Sequence, residues 1–512
     1  MLSITTEPLD RTRSPVPHAR NSALGALLVL PWLIAYTAGP VANAWPWLVS
    51  ASCAVLVWLF WRRLDAGLIT SAWVLAAAIS AVIGLVQYFG LAQALSPWIS
   101  QAGAGEAFAN LRQRNHFATL TSIGLLALSA VLARQAPGPR VPGWAYAAMA
   151  LLALGNAASS SRTGLLQWLL IVVLTAGWAL PALRGQRRLA LFALQALLAY
   201  GLAVVALPWL LSAATGLSSA GLLGRLAETP ACSSRLTLWS NVLHLIAHKP
   251  WFGWGWGELD YAHYMTLYPG ARFCDILDNA HNLPLHLAVE LGIPLALVVC
   301  GGAGWVVWRA RPWRETDPTR QMAWGVLAVI MLHSMLEYPL WYGPFQMAFG
   351  LCVWMLWPAP REPVAGSRPY ARAGAAIRLV VASALLAAVA YAAWDYHRIS
   401  QIYLAPQARD PAYRDDTLDK VRGSRLFRNQ VRFAELTTTA LKRGNAQWTF
   451  DTAMALLHYS PEPRVIEKVI ESAVMLGRDD EALLHLVRYR AAFPDDYKKW
   501  RHANGLTGGP AD

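Results

Sequence analysis

Along this chain the apolar residues do not alternate with polar ones but run together. About eleven stretches are long enough to cross about 30 Å of hydrocarbon. They lie near 22–39, 43–61, 67–90, 116–133, 143–158, 165–183, 189–211, 283–308, 321–338, 344–357 and 375–394. The pattern predicts an all-α integral membrane protein of about eleven transmembrane helices. A long polar loop, 212–282, separates the seventh and eighth spans, and from 395 onward charged residues become frequent and the pattern turns amphipathic. The expected division is residues 1–21 ahead of the first span, 22–394 as a polytopic membrane domain holding the loop, and 395–512 as a small helical domain. The first span follows basic residues, yet it contains Pro31, lacks a small-residue cleavage site and is followed by further spans, so it reads as a span and not a cleaved signal.

Basic residues orient the spans. Arg11, Arg13 and Arg20 precede the first, Arg62 and Arg63 follow the second, Arg134 and Arg140 the fourth, and Arg184, Arg187 and Arg188 the sixth. Arg309, Arg311, Arg314 and Arg320 after the eighth span, and Arg361, Arg368 and Arg372 after the tenth, keep the same alternation. The positive-inside bias makes that side cytoplasmic, with the N-terminus inside and the C-terminus outside. The outer side then holds 91–115, "SSSRTG" at 159–164, the loop 212–282, "LWYG" at 340–343 and the tail. Composition agrees: of 512 residues 56% are hydrophobic and only 14% charged, with mean hydropathy +0.34 and 25 Trp suited to the headgroup level. The net charge of +13 comes from small Arg groups between spans, not from a continuous patch, which argues against nucleic acid.

Within the loop, "SSRLTLWSNVLHLIAHKP" predicts a helix capped by Ser233 or Ser234, with Leu236, Trp239, Val242, Leu243 and Ile246 on one face, lying along the membrane surface. "WFGWGWGELD", 251–260, reads as a tight Gly-rich turn with aromatic anchors. Cys232 and Cys274 share this outer loop and are expected to pair in an oxidising compartment, whereas Cys53, Cys300 and Cys352 sit in spans. The tail segment "WTFDTAMALLHYSPEPRVIEKVIESAVMLGRDDEALLHLVRYRAAFP" has the spacing of helix-hairpin repeats of the tetratricopeptide kind, in about two degenerate units.

Few outer polar residues can carry chemistry. Arg162 in "SSSRTG" stands alone at membrane level, on the side where this chain otherwise avoids Arg. Arg235 sits in a second "SSR", at the start of the loop helix, where backbone N–H groups and a guanidinium can together hold an anion. His281, flanked by Asp278, Asn279 and Asn282, has the near-neutral pKa of a general base. Asn115 and His116 repeat those residue types at another outer threshold. "HSMLEYPLWYGPF" places His333 and Glu337 four apart on one helix face, with Tyr338 beside them. An intramembrane His and Glu also suit the proton relay of a transporter, which would be expected to carry internal repeats; no symmetry between the halves is visible. There is no GxxxxGK[ST] loop, HExxH pattern or spaced Cys and His set, so nucleotide hydrolysis, a catalytic metal and a cofactor have no support. An energy source would have to arrive on the substrate, and an activated pyrophosphate fits two outward Arg residues.

"DNAHNLPLHLAVELGIPLAL", preceded by "SSRLTLWSNVLHLIAHKPWFGWGWGEL", resembles the core of the bacterial O-antigen ligase and polymerase superfamily, with its Arg, its Pro-x-x-Gly-x-Gly turn and its His-Asn before a span. With "RQRNHFATL", "HSMLEYPLWYGPF" and the helical tail, the chain is similar to the protein O-oligosaccharyltransferases, the pilin glycosylation ligases, over roughly residues 20–490. The resemblance implies a GT-C-like ligase fold in the bacterial inner membrane, with the loop, active site and tail periplasmic. It implies transfer of a glycan from undecaprenyl pyrophosphate to a Ser or Thr hydroxyl of a pilin or other periplasmic protein. His281 would then be the base, Arg235 and Arg162 the pyrophosphate holders, and Tyr338 the required tyrosine, with Tyr342 a close alternative. Asn115, His116, Asn282 and Glu337 would position substrates. The family's "QPNH" is "QRNH" here, with Arg114 in place of Pro. Lipopolysaccharide ligases and glycan polymerases share the chemistry; the "QRNHF" and "EYPLWY" motifs and the tail weigh against them.

Overall fold

The structure, a computed structural model, describes residues 17–135, 141–179, 184–227, 232–357 and 368–505, and within them every regular element is a helix. Arg11, Arg13, Arg140 and Arg361 lie outside the described residues, as do 1–16 of the N-terminal segment and 228–231 of the loop. The bundle is built from α1 (Pro17–Val29), α2 (Ala44–Leu59), α3 (Ala66–Tyr88), α4 (Arg114–Arg134), α5 (Gly143–Ser159), α6 (Arg162–Ala179) and α7 (Arg184–Thr215). The loop carries α8 (Gly221–Ala227), α9 (Arg235–His248), α10 (Leu259–Met265) and α11 (Leu283–Leu291). The bundle resumes with α12 (Ile293–Ala310), α13 (Pro318–Ser334), α14 (Gly343–Leu356) and α15 (Arg368–Ser400). Among the described residues six helices, α3, α4, α6, α7, α12 and α15, are long and apolar enough to cross a membrane, while Ser22–Trp32, α2 and α14 are apolar but shorter. Val298, Trp305 and Trp308 of α12, and Ile377 and Val380 of α15, are exposed on a scale that belongs against lipid. This is an α-helical membrane protein.

The fourth apolar stretch becomes the centre of the bundle. α4 is almost wholly buried against α3, α5, α6 and α13, and its Thr119, Thr121 and Ser122 side chains are matched across helices. Asn156 donates to Thr121 Oγ1 at 2.8 Å, Ser122 to Gln167 Oε1 at 3.1 Å, and Gln167 to Thr119 Oγ1 at 2.7 Å and to the Val329 carbonyl at 3.0 Å. In a dry interior each unmatched group would cost free energy, so these bonds set the rotation of α4 against its neighbours. Basic residues gather at one end of the bundle: Arg134 donates to Thr319 Oγ1 at 2.9 Å, and Arg320 to the Leu356 carbonyl at 3.0 Å. The starts of α4 and α6 and the turn after α13 meet at the other end.

The predicted span 283–308 is not one helix. α11 stops at Leu291 and α12 starts at Ile293, because Gly292 adopts φ +86° where the Gly-rich turn passes. A Cβ on Gly292 would lie 2.1 Å from the Trp251 carbonyl oxygen, and one on Gly253 2.3 Å from that of Glu290. Each glycine makes room for the other segment's backbone. Trp254 N donates to the Val289 carbonyl at 2.9 Å, Gly255 N to that of Glu290 at 3.0 Å, and Ile293 N to that of Pro250 at 2.8 Å. The backbone groups freed by the helix break are thus satisfied by the turn. α11 consequently belongs to the loop, and the apolar crossing begins at Ile293.

The loop has a core of its own. Leu238, Val242, Leu245 and Ile246 of α9 pack with Leu259, Ala262, Phe273, Leu277, Ala280 and Val289. Of the apolar positions expected on one face of this helix, Val242 and Ile246 pack into the loop's own interior, while Leu236 and Leu243 are exposed. Ser234 caps α9 by accepting from Thr237 N at 3.1 Å. A disulfide joins Cys232 to Cys274 across 42 residues. The tail forms α16 (Thr417–Val421), α17 (Arg428–Thr438), α18 (Ala446–Leu456), α19 (Pro463–Met475), α20 (Asp479–Ala492) and α21 (Pro494–Ala503). Its core includes Tyr264 of α10. The Tyr264 hydroxyl donates to His485 Nδ1 at 2.9 Å, and Arg488 Nε to the Met265 carbonyl at 2.8 Å. α15 runs past 394, and Asp395, fully buried, accepts from Ser424 Oγ and the backbone N–H groups of Arg425 and Leu426.

Replacing Gly292 by Ala should lower stability by about 2 kcal/mol through backbone strain and the carbonyl clash, read as a drop in thermal midpoint in detergent. Gly302→Ala, in open space on α12, should be near neutral. Burial, reinforced by Arg488, pulls His485 from the usual 6.5 to about 4. The folded state thus favours neutral His485, so its contribution is complete above pH 6.5 and lost as pH falls toward 4. Burial lifts Asp260 of α10 to about 7, which acts oppositely, losing stability as pH rises through 7. The His485 part is therefore read as a difference: between pH 6.5 and 4 the wild type should lose up to about 3 kcal/mol relative to His485→Gln.

Candidate active site

The end of the bundle away from Arg134 and Arg320 converges on one carboxylate. α13 ends at Ser334, and Pro339 cannot continue a helix, so Glu337 sits in a turn with its N–H on the His333 carbonyl at 2.8 Å. Its side chain is 9% exposed and accepts four hydrogen bonds. Arg235 Nη2 donates to Oε1 at 2.5 Å and Asn115 Nδ2 to Oε1 at 3.2 Å; Gln113 Nε2 donates to Oε2 at 3.0 Å and His281 Nδ1 to Oε2 at 3.1 Å. A carboxylate removed from water is stable only when its lone pairs and charge are answered in this way.

Each donor is held by local chemistry. His281 has φ +51°, a left-handed conformation uncommon outside glycine, fixed by its N–H donating to Asn279 Oδ1 at 2.9 Å. Asn282 caps α11 by accepting from Leu285 N at 3.2 Å, and its amide donates to the Met335 carbonyl at 3.1 Å, tying the loop to the turn that carries Glu337. Arg235 is the first residue of α9. Asn115, in the first turn of α4, accepts from Ser161 Oγ at 2.6 Å, and Ser161 in turn accepts from Gly164 N at 2.9 Å at the start of α6. Arg114, the residue in place of Pro, forms an ion pair with Glu106 and leaves Gln113 and Asn115 on Glu337.

Around His281 lies an aromatic wall. The Tyr338 ring meets the imidazole edge-on at 5.1 Å, and Tyr338 and Tyr342 share a hydroxyl hydrogen bond with rings 6.0 Å apart. Tyr342 also hydrogen-bonds Asn43 and packs on His116 at 3.8 Å between centroids. His116 is fully buried and supports this wall from behind. Asp278 is lifted above the usual carboxylate range by burial, with the nearby His281 opposing that rise.

The structure therefore brings together Asn115, Arg235, His281, Asn282, Glu337, Tyr338 and Tyr342, with His116 in second contact. It does not bring Arg162 to Glu337. Arg162 is exposed, and its Nη2 donates to the Arg225 carbonyl, while Arg225 Nη1 donates to the Ser160 carbonyl at 3.1 Å. The expected pairing of His333 and Glu337 on one helix face does not form either. The helix ends between them, and His333 Nδ1 lies 2.9 Å from Thr119 Oγ1. Gln113 and the role of Glu337 as the common acceptor were missed from sequence. The available signal was an acidic residue at a membrane threshold, which needs cationic partners, among outer segments already holding Arg and His.

Chemically, the bond from Nδ1–H to Glu337 sets the imidazole tautomer and leaves Nε2 with a lone pair. Arg235 and His281 keep side-chain exposures of 38% and 27%, while the carboxylate behind them is buried. An imidazole and a guanidinium thus share one opening.

Models of three families match the chain: the protein glycosylation ligase at 107–130, the O-antigen ligase at 147–300, and the C-terminal part of the virulence factor membrane-bound polymerase at 321–505. A general O-oligosaccharyltransferase of Acinetobacter baylyi is 24% identical over 301 residues, covering 57% of this chain and 51% of that protein. The chain therefore matches about half the length of that relative. Gln113 and Asn115 fall in the first match, Arg235 and His281 in the second, and Glu337 and Tyr338 in the third. The residues that meet at one carboxylate come from all three matched segments, so the site is built from parts similar to the protein glycosylation ligases, the O-antigen ligases and the membrane-bound polymerases.

Proposed function

We propose that this protein is a glycosyltransferase that moves a glycan en bloc from undecaprenyl pyrophosphate to a Ser or Thr hydroxyl of a periplasmic or pilin protein. The observation that carries the reading is the Glu337 carboxylate bonded at once to His281 Nδ1 and to Arg235. His281 Nε2 takes the proton of the acceptor hydroxyl as its oxygen attacks the anomeric carbon. The bond from that carbon to the pyrophosphate oxygen breaks on the opposite face, inverting the centre and releasing undecaprenyl pyrophosphate. Arg235, with Arg162 swinging from the Arg225 carbonyl, neutralises charge growing on the leaving group. Tyr338, with Tyr342 beside it, and Asn115, His116 and Asn282 position donor and acceptor. No step passes through a metal or a cofactor.

In this reading residues 22–394 form a GT-C-like domain crossing the bacterial inner membrane eleven times, through α1 to α7 and α12 to α15. The N-terminal segment 1–21 is cytoplasmic, and the loop, the site and the tail are periplasmic. Residues 395–512 form a tetratricopeptide-like module that holds the loop through α10. The matches to O-antigen ligase and membrane-bound polymerase models favour a second reading with the same chemistry, in which the acceptor is a lipid A core sugar or a growing glycan.

Expression with a lipid-linked glycan and a pilin-like acceptor, in cells lacking other ligases, followed by mass spectrometry, should find the sugar on protein. Sugar found only on lipid A core would favour the second reading. His281→Ala should abolish transfer and leave the lipid-linked donor to accumulate; near-normal glycosylation in that variant sinks the assignment. Glu337→Gln keeps the shape but removes the charge. It should lower the transfer rate by about a hundred-fold or more and stability by about 1–3 kcal/mol, less than a fully buried pair because Arg235 is partly exposed. The double variant with Arg235→Gln should lose less stability than the two single variants added together.

A further inference from the structure

Between α2 and α14 runs an apolar cleft of about 390 Å³, within the roughly 300–1,000 Å³ range of small-molecule sites. On α2 it is lined from Trp47 through Ala51 and Ala54 to Trp58, positions that share one helix face over about 16 Å, and Trp61 lines it just past the helix end. On α14 it is lined by Gly343, Met347, Gly350 and Trp354 at the same periodicity. The helices touch at the outer end, where Trp47 Nε1 donates to Gln346 Oε1 at 3.1 Å and a Cβ on Gly343 would lie 2.5 Å from the Ser50 Cβ. Further in, Ala51, Ala54 and Gly350 supply too little side chain to close the gap, and nothing lies within 4 Å of where a Gly350 Cβ would be.

The outer end of the cleft abuts the candidate site. Gly343 follows Tyr342, and Asn43, one residue before α2, hydrogen-bonds the Tyr342 hydroxyl, which is bonded in turn to Tyr338 against His281. A hydrocarbon chain lying in the cleft would deliver its polar end to that aromatic wall. We propose that the cleft between α2 and α14 seats the polyprenyl chain of the lipid-linked donor, with its pyrophosphate end beside Tyr342 and Tyr338. This rests on the donor reading given above. The small residues at three- and four-residue spacing leave notches for methyl branches. The chain reaches the cleft from surrounding hydrocarbon, so its hold comes from van der Waals packing against the cleft wall and not from removing methylenes from water, and it is independent of the sugar.

The test uses the full chain in lipid nanodiscs with a photoactivatable polyprenyl diphosphate and peptide mapping of the label. Label should fall on α2 and α14 and be competed by unlabelled polyprenyl diphosphate, but not by added phosphatidylglycerol. Gly350→Leu, which fills open space, should cut that labelling about ten-fold and raise the KM for donor. Gly302→Leu, on the lipid-facing surface of α12, should leave both unchanged and serves with thermal unfolding as the check on folding. His281→Ala should retain the label while losing transfer. Label confined to other helices, or competed equally by phosphatidylglycerol, overturns the cleft assignment even if His281→Ala is inactive. Normal transfer by His281→Ala overturns the reading of the site while leaving the labelling result to stand.

Discussion

One buried carboxylate organises the functional end of this molecule. Glu337 is the acceptor for groups from the start of α4, the start of α9 and His281, two residues before α11, segments far apart in the chain. An unpaired charge at that depth would be strongly unfavourable, so folding drives those segments together or leaves the carboxylate unanswered. The requirement that stabilises the carboxylate also sets the function-bearing groups. The same bond that satisfies Oε2 orients the His281 imidazole, and the bond that satisfies Oε1 pins the Arg235 guanidinium.

That convergence depends on how the loop is seated. The reciprocal close approach of Gly253 and Gly292 lets two backbones cross at a distance no side chain would tolerate. It converts the expected membrane helix 283–308 into a loop helix and a separate crossing. His281 is therefore held two residues ahead of a capped helix, α11, whose far end is stitched to the Gly-rich turn. The disulfide closes the opposite side of the loop, and α10 locks it to the tail through Tyr264 and His485. The tail is thus part of the frame that positions His281, not a separate appendage.

The apolar side of the site has a different logic. Tyr338, Tyr342 and His116 form a wall whose back is the buried bundle and whose edge continues into the cleft between α2 and α14. A polar, charged cluster and an apolar channel meet at Tyr342. An amphiphile with an anionic head and a hydrocarbon tail is the class of molecule such a junction accommodates.

Membrane character and the Arg, His and Asn residues at the ends of apolar stretches were legible in the amino-acid sequence, because hydrophobic runs act locally along the chain; of about eleven expected spans, six helices among the described residues are long and apolar enough to cross. Ser234 as a cap, the Gly-rich turn and the helical tail were legible for the same reason. What only the tertiary structure decided is which of those polar residues meet. Arg162 and Arg235 occupy matching Ser-Ser-Arg motifs, yet one reaches Glu337 and the other the Arg225 carbonyl. His333 and Glu337 are four apart in sequence, yet the helix ends between them. The break at Gly292 follows from a backbone contact some forty residues away, and the buried face of α9 from the loop core it joins. Spacing along a helix records which residues share a face; it holds no record of the distant carboxylate, carbonyl or glycine that each face will meet.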